Sequence, residues 1–204
     1  MNWLVVGKSG TGKSFFARRL AQRLSDGKKL VIVDNSEDHE DIAEYTLEVH
    51  QGNIKKLDPE KILSMLDSVL LVFTYTETDS VNYFIDGLTE TIWNMINIVI
   101  MIDEAHIFIP RSNYPKGIER LIRAGRKGGI DTVLITQNFT DLNITALKQA
   151  HYLAVFRLTE QNEIERIARR FPEARRIVPD LPEYHLMFID FMKGKYEVIK
   201  NDSI

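Results

Sequence analysis

Glycines, lysines and hydroxyl side chains are concentrated near the start of the sequence, in the stretch Gly7-Lys8-Ser9-Gly10-Thr11-Gly12-Lys13-Ser14. This stretch matches the phosphate-binding loop pattern GxxxxGK[ST] at every fixed position. It follows the apolar run Trp3–Val6 and precedes a helical pattern. Glycines allow consecutive backbone N–H groups to turn inward around an anion, and the N-terminus of the following helix adds a positive dipole end. The stretch therefore predicts a site for a nucleoside triphosphate.

The side chains of this loop have separate expected roles. Lys13 reaches the β- and γ-phosphates and is a candidate catalytic residue, and the Ser14 hydroxyl binds Mg²⁺. We therefore expect ATP and Mg²⁺ as cofactors. The expected nucleotide-binding residues are Gly7, Lys8, Ser9, Gly10, Thr11, Gly12, Lys13, Ser14 and Phe15.

A second candidate group is the acid pair Asp103-Glu104, which follows the apolar run Ile98–Ile102. A buried parallel strand places its terminal residues at the carboxyl edge of the sheet, where ligands of open α/β sheets bind. We expect Asp103 to hold Mg²⁺, usually through water, and Glu104 to orient and polarise the attacking water. Beside a phosphate loop, this interpretation is preferred to two acids that only cap a helix. We interpret His106 as structural or as a hydrogen-bond relay.

A third group is formed by Gln137, after the run Thr132–Thr136, and by Arg126, eleven residues before it. The Gln137 amide is a candidate catalytic group that hydrogen-bonds the γ-phosphate or the lytic water, the alternative being a polar strand end. Arg126 lies in a segment with six basic residues and one acid within 17 positions. An arginine at a subunit edge can act in trans on a neighbour's γ-phosphate. Contact with DNA phosphates or solvation of a surface are the alternatives, and Arg123 is a second candidate.

The composition is that of a globular domain: 204 residues, 27% charged, net charge −3 and no cysteine. We expect one domain over 1–204, no signal peptide, no preceding domain and no transmembrane segment. Apolar runs that alternate with helical patterns predict an α/β fold with a mostly parallel sheet, helices on both faces and a C-terminal β-hairpin. The expected strands are Trp3–Val6, Leu30–Val33, Val69–Tyr75, Ile98–Ile102, Thr132–Thr136 and Tyr152–Leu158, and the hairpin pairs His185–Met192 with Tyr196–Ile199. The expected helices are Lys13–Leu24, Pro59–Leu66, Ser80–Met95, Ile118–Arg126 and Glu160–Phe171.

These motifs together resemble the FtsK–HerA superfamily of DNA-pumping ATPases, within it the minimal genome-packaging ATPases of viruses with double jelly-roll capsids. The resemblance rests on Gly7–Ser14, on Asp103-Glu104-Ala105-His106, and on Gly125-Arg126-Lys127 followed by a strand into Thr136-Gln137. It implies a RecA-like P-loop core and a homo-oligomeric ring, expected to be a hexamer. It also implies ATP-driven translocation of double-stranded DNA into a capsid, in the host cytoplasm or at the packaging vertex of the virion. In this family the trans-acting arginine occupies the position of Arg126.

Three other functions compete with the packaging motor. A cellular HerA-type helicase or translocase shares the motifs but carries an N-terminal β-barrel that this chain lacks. A helicase of the Asp-Glu-Ala-His type needs two RecA-like domains in one chain, whereas we expect one domain over 1–204. A nucleotide kinase or GTPase-like switch fits less well, because the acid pair and Gln137 suit water activation and no Asn-Lys-x-Asp pattern is present.

Overall fold

The computed structural model describes residues 1–35, 38–50, 52–65, 69–74, 79–112 and 115–203. Within these residues, nine strands form one sheet in the order β3-β4-β2-β5-β6-β1-β7-β8-β9. The first seven strands in this spatial order, from β3 across to β7, are all parallel, whereas β8 pairs antiparallel with β7 and with β9. The strands are β1 (Asn2–Val6), β2 (Lys29–Asp34), β3 (Tyr45–Val49), β4 (Val69–Thr74), β5 (Ile98–Ile102), β6 (Asp131–Thr136), β7 (Tyr152–Phe156), β8 (His185–Asp190) and β9 (Lys195–Lys200).

Alternate side chains of the central strands point to opposite faces of the sheet, and both sets are apolar. Helices therefore cover both faces of the sheet. On one face, Val5, Met101 and Val133 pack with Phe16 and Leu20. On the other face, a larger apolar cluster packs between the sheet and the helices other than Lys13–Leu24. The helices are α1 (Lys13–Leu24), α2 (Pro59–Met65), α3 (Asp79–Trp93), α4 (Ala105–Phe108), α5 (Lys116–Ala124), α6 (Ile144–Gln149), α7 (Gln161–Ala168) and α8 (Ala174–Ile177).

The expected α/β architecture is confirmed: a mostly parallel sheet with helices on both faces and a C-terminal antiparallel hairpin. The element bounds differ in detail. The helix expected to continue to Arg126 ends at Ala124 and is followed by a 3₁₀ turn at Gly125–Gly128. The expected ends at Leu66 and Tyr75 lie outside the described residues. The strand β3 and the short helices α4, α6 and α8 were not expected.

Among the residues that the structure describes, no helix is both long enough and apolar enough to cross a membrane.

Candidate active site

Three neighbouring parallel strands, β5, β6 and β1, bring the sequence motifs to one edge of the sheet. The phosphate loop follows β1, Gln137 follows β6, and the acid pair follows β5. The N–H of Gly7 donates to the Thr136 carbonyl at 3.3 Å, and the N–H of Gln137 lies 3.4 Å from Glu104 Oε2. Gln137 therefore stands between the phosphate loop and the two acids.

The phosphate loop depends on two glycines with left-handed backbone conformations, Gly10 at φ 76° and Gly12 at φ 96°. Gly12 is the N-cap of α1, and its carbonyl accepts the N–H of Phe16 at 3.0 Å. A Cβ at Gly12 would lie 2.6 Å from Asn201 Nδ2, a residue just after β9. Both the backbone conformation and the close approach of the C-terminal segment therefore require glycine at this position.

The Lys8 carbonyl organises the side chains of the loop. It accepts hydrogen bonds from Thr11 Oγ1 at 2.7 Å and from Lys13 Nζ at 3.2 Å. The Lys8 ammonium itself turns away and pairs with the buried carboxylate of Glu163 in α7 at 3.0 Å. Lys13 is thus held across the loop, whereas Gly7, Lys8 and Thr11 support the loop from outside its cavity.

A cavity of about 450 Å³ opens at this edge of the sheet. It brings together loop residues, the acid pair and Gln137, and it also contains two residues that the sequence motifs did not indicate, Asp38 and Tyr184. Its lining residues are Ser9, Gly10, Gly12, Lys13, Ser14, Phe15, Asp38, Asp103, Glu104, Gln137 and Tyr184.

The expected Mg²⁺ ligands face the same cavity. Ser14 Oγ donates to Asp38 Oδ2 at 3.5 Å, and the Asp103 carboxylate is buried with Oδ1 accepting the N–H of Glu104 at 2.7 Å. Hydroxyl and carboxylate oxygens are hard donors that suit Mg²⁺, which is bound through few protein ligands and keeps several waters. The donor set therefore fits Mg²⁺, and Asp38 is an acid beyond the two expected ligands.

Asp103 also contacts His39, which the sequence motifs did not indicate. His39 Nε2 lies 2.7 Å from Asp103 Oδ2, and both side chains are buried. Asp34, at the end of β2, lies beside them, so that ligand atoms of the three residues are within 4.8 Å of one another. Because an ionised carboxylate only accepts, Nε2 carries the hydrogen and donates to Asp103. The contact has the length of a direct hydrogen bond and fixes the orientation of the carboxylate.

The backbone of Glu104 is held in the left-handed region at φ 45°, where residues other than glycine are uncommon. Its carboxylate lies 3.3 Å from His106 Nδ1, and the same nitrogen lies 3.0 Å from Thr136 Oγ1. His106 therefore links Glu104 to the end of β6, which agrees with a structural or relay role. Strained backbone at a strand end beside a ligand cavity is typical of functional residues.

Arg126 lies near the amino ends of the parallel strands, whereas this cavity lies at their carboxyl ends. It belongs to the 3₁₀ turn Gly125–Gly128, which precedes the amino end of β6, whereas the phosphate loop follows the carboxyl end of the parallel neighbour β1. With about 3.3 Å per strand residue, the amino and carboxyl ends of these strands are roughly 16 Å apart. The structure therefore does not bring Arg126 to the cavity of its own chain.

The contact between Arg126 and His151 is not a hydrogen bond, although Nη1 and Nε2 are 3.3 Å apart. His151 Nδ1 accepts the backbone N–H of Asn2 at 3.0 Å, so the ring hydrogen of the neutral tautomer is on Nε2 and faces another donor. Burial, the N-terminal ammonium and Arg126 lower the pKa of His151. Among the described residues, no carboxylate lies within ion-pairing distance of Arg126.

The other arginines of this segment have carboxylate partners. Arg123 pairs with Glu119 at 2.7 Å, and Arg120 pairs with Glu90 at 2.9 Å and lies over the Trp93 ring. Arg126 is thus the arginine of this segment without a carboxylate partner among the described residues.

A phosphate loop, an acid pair and a polar strand end that meet at one edge of a parallel sheet define a P-loop ATPase. The chain belongs to the AAA domain family, whose model matches residues 2–142. Comparison with curated protein sequences gives no significant match.

Solved structures with the same fold include viral and bacterial ATPases. The genome packaging NTPase B204 of Sulfolobus turreted icosahedral virus 2, in complex with AMPPCP, matches with a TM-score of 0.77 and 20% identity over 98% of this chain and 96% of that one. VirB4 of Thermoanaerobacter pseudethanolicus matches with a TM-score of 0.71 and 12% identity over 98% and 88%. EccC of Thermomonospora curvata matches with a TM-score of 0.61 and 10% identity, over 98% of this chain and 36% of that one. The chain is therefore an ATPase of the AAA domain family, and it shares the P-loop ATPase fold of these structures.

Proposed function

We propose that this chain, acting as one domain over 1–204, is a homo-oligomeric motor that couples ATP hydrolysis to movement of double-stranded DNA into a viral capsid. It would work in the host cytoplasm, docked at the packaging vertex. The observation that carries the proposal is the division of the site: Lys13, Glu104 and Gln137 meet at one edge of the sheet, whereas Arg126 is presented at the other. The match with the packaging NTPase, which extends over 98% of this chain and 96% of the other, supports the packaging role.

Within one chain, the cavity residues divide the work of hydrolysis. The loop N–H groups and Lys13 bind the β- and γ-phosphates. Ser14 and Asp103 would hold Mg²⁺, which would supply positive charge against the charge that develops on the phosphates. Glu104 takes a proton from the attacking water, because its carboxylate is an acceptor aimed at the cavity by the strained backbone. Gln137, whose N–H lies 3.4 Å from Glu104, donates its amide to the γ-phosphate or orients the same water.

Arg126 completes the site of a neighbouring subunit. Arg126 and the phosphate loop lie at opposite ends of the strands, so the contact between two subunits is head-to-tail. Such contacts generate a ring when the rotation closes. We propose a hexamer with Arg126 of each subunit on the γ-phosphate of the next. An arginine supplied in trans accelerates hydrolysis by about 10³–10⁵-fold.

DNA would pass through the lumen of this ring, so the net charge of −3 does not argue against binding. Lys116 is a candidate contact with DNA phosphates, as are Arg111 and Arg120, although Arg111 donates to the Thr140 carbonyl at 2.7 Å and Arg120 pairs with Glu90 at 2.9 Å. Contacts with phosphates release counterions, so affinity for duplex DNA should fall steeply with salt.

The proposal is tested by ATP hydrolysis with and without duplex DNA, and by mixing two inactive variants. Lys13→Ala and Arg126→Ala should each be inactive alone. In mixed rings, a Lys13→Ala subunit still carries Arg126, and an Arg126→Ala subunit still carries an intact phosphate loop. When the two are mixed equally, the first kind donates its arginine to the second kind at about a quarter of the interfaces, so a similar fraction of activity should return. Arg123→Ala is the matched control and should stay active. Absence of both DNA stimulation and recovery on mixing would refute the motor.

A further inference from the structure

Two aromatic side chains line the nucleotide cavity and remain half exposed, Phe15 at 49% and Tyr184 at 50%. Phe15 follows Ser14 at the start of α1, and its neighbour Phe16 is fully buried in the core. Arg19, one turn further along the helix, has its guanidinium 5.7 Å from the centre of the Phe15 ring. Isolated exposed aromatics are ordinary, but two that share a cavity with a phosphate loop form an apolar surface next to a polar one.

Tyr184 reaches the cavity from the far end of the chain. It precedes β8, and its carbonyl accepts the N–H of Asn201, just after β9, at 2.8 Å. Its Cδ1 lies only 3.4 Å from the point that a Cβ on Gly12 would occupy. The C-terminal hairpin thus holds the Tyr184 ring over the N-terminus of α1.

The backbone of Tyr184 supports a functional role for this placement. Its φ of 57° lies in the left-handed region, which a bulky residue rarely adopts. Asparagine or glycine would occupy the same turn at lower conformational cost, and neither carries an aromatic ring. A backbone outlier of this kind, beside a ligand cavity, is typical of a residue placed for contact with a ligand.

We infer that Phe15 and Tyr184 form the subsite that takes the aromatic base of ATP. This inference rests on the proposed assignment of the phosphates to the loop Gly7–Ser14. The polar lining of the cavity is suited to the phosphates and the metal ion, and the two rings are its aromatic surfaces. A planar base stacks on such rings, and because every base has such a face, stacking alone discriminates little between bases.

The test compares two ligands that differ in the base: a non-hydrolysable ATP analogue and inorganic triphosphate, both titrated with Mg²⁺ by calorimetry. Stacking on one aromatic ring contributes a factor of about 5 to 150 in affinity. Tyr184→Ala and Phe15→Ala should therefore bind the ATP analogue at least about fivefold more weakly and bind triphosphate as the wild type does. Tyr184→Phe should retain the wild-type affinity for both ligands. Tyr83→Ala, at a residue 83% exposed on α3, is the matched control.

The outcomes separate the subsite from the phosphate site. Wild-type affinity of Tyr184→Ala and Phe15→Ala for the ATP analogue would overturn the inference. An equal loss for both ligands would also overturn it, because it would indicate that the variants distort the loop. Lys13→Ala should lose both ligands. If Lys13→Ala binds both normally, the assignment of the loop to phosphates fails instead.

Discussion

His39 offers the sharpest test of how this site would hold Mg²⁺. Its imidazole donates to Asp103 Oδ2 at 2.7 Å in a buried environment, whereas Asp103 Oδ1 is occupied by the N–H of Glu104. Replacing His39 with alanine leaves one carboxylate oxygen buried without its donor and frees the side chain to rotate. We expect the Asp103 carboxylate to bind the metal ion less well, which makes His39 a positioning residue.

The size of the effect follows from the geometry of the contact. A buried hydrogen bond to a charged group contributes about 1.5–3 kcal/mol, which corresponds to a factor of about 10 to 150. The hydrogen bond between His39 and Asp103 is present both with and without the metal ion, so its own energy cancels in the metal affinity. Only the loss of the fixed orientation of Asp103 changes that affinity. Loss of a partner that orients a metal ligand weakens metal affinity by about 10- to 100-fold, and we expect the lower half of this range.

Binding of Mn²⁺ in place of Mg²⁺, measured by electron paramagnetic resonance with a non-hydrolysable ATP analogue, isolates this effect from turnover. His39→Ala should weaken Mn²⁺ binding while leaving analogue affinity in EDTA unchanged. His39→Gln should recover most of the loss, because the amide nitrogen of glutamine can donate from a similar position. His50→Gln, at an exposed histidine whose Nδ1 accepts the Gly52 N–H, is the control.

Three results would refute this reasoning in different ways. Unchanged Mn²⁺ affinity in His39→Ala would remove the positioning role, provided that Asp103→Asn does lose affinity. A loss in His39→Gln as large as in His39→Ala would indicate a general effect of packing. Stoichiometric Zn²⁺ binding by the nucleotide-free protein, abolished in His39→Gln, would instead make Asp34, His39 and Asp103 a metal site.

Glu104→Gln should retain ATP binding and reduce turnover by at least about 10²-fold, because the amide cannot accept the proton of water; unchanged phosphate release in a single-turnover assay would exclude Glu104 as the base. Gly12→Ala should lower the free energy of unfolding by about 1–2 kcal/mol or more, because φ is 96° and the new Cβ would lie 2.6 Å from Asn201 Nδ2; an unchanged urea midpoint would contradict this. The pKa of His151 lies below its ordinary value of 6.5 because of burial, the N-terminal ammonium and Arg126. The unfolded chain therefore binds more protons, and the free energy of unfolding should fall as the pH drops from 6.5 towards the pKa of the folded state. Urea unfolding between pH 7.5 and 5.5 should show this slope in the wild type and a smaller one in His151→Gln.

The central strands could be predicted because burial on both faces of a parallel sheet imposes a continuous apolar run, as in Ile98–Ile102. The strand β3 could not, because it lies at the edge of the sheet and its sequence Tyr45–Val49 is mostly exposed and partly polar. Helix α6 has only six residues, too few to give a helical period. Pattern recognition therefore succeeds where burial repeats along the chain and fails where a neighbour, rather than the segment itself, provides the stabilisation.

The same distinction holds within the site. The phosphate loop and the acid pair are contiguous in sequence, so their chemistry was visible before the fold. His39 and Tyr184 are not parts of any short motif. His39 reaches Asp103 because of the order of the strands, and Tyr184 reaches the cavity because of the C-terminal hairpin. Asp34, at the end of β2, likewise joins the buried cluster with His39 and Asp103 through the order of the strands.

The spacing of eleven residues between Arg126 and Gln137 has a physical consequence for the proposed motor. The residues Asp131–Thr136 that separate them cross the sheet as β6, paired with β5 on one side and β1 on the other. An extended segment with a partner on both sides cannot fold back, so the arginine and the glutamine must emerge at opposite edges. Any role of Arg126 at a γ-phosphate is therefore a role at the γ-phosphate of another chain. A motif that appears continuous in sequence thus predicts two half-sites, and hydrolysis by this mechanism requires the subunits to associate.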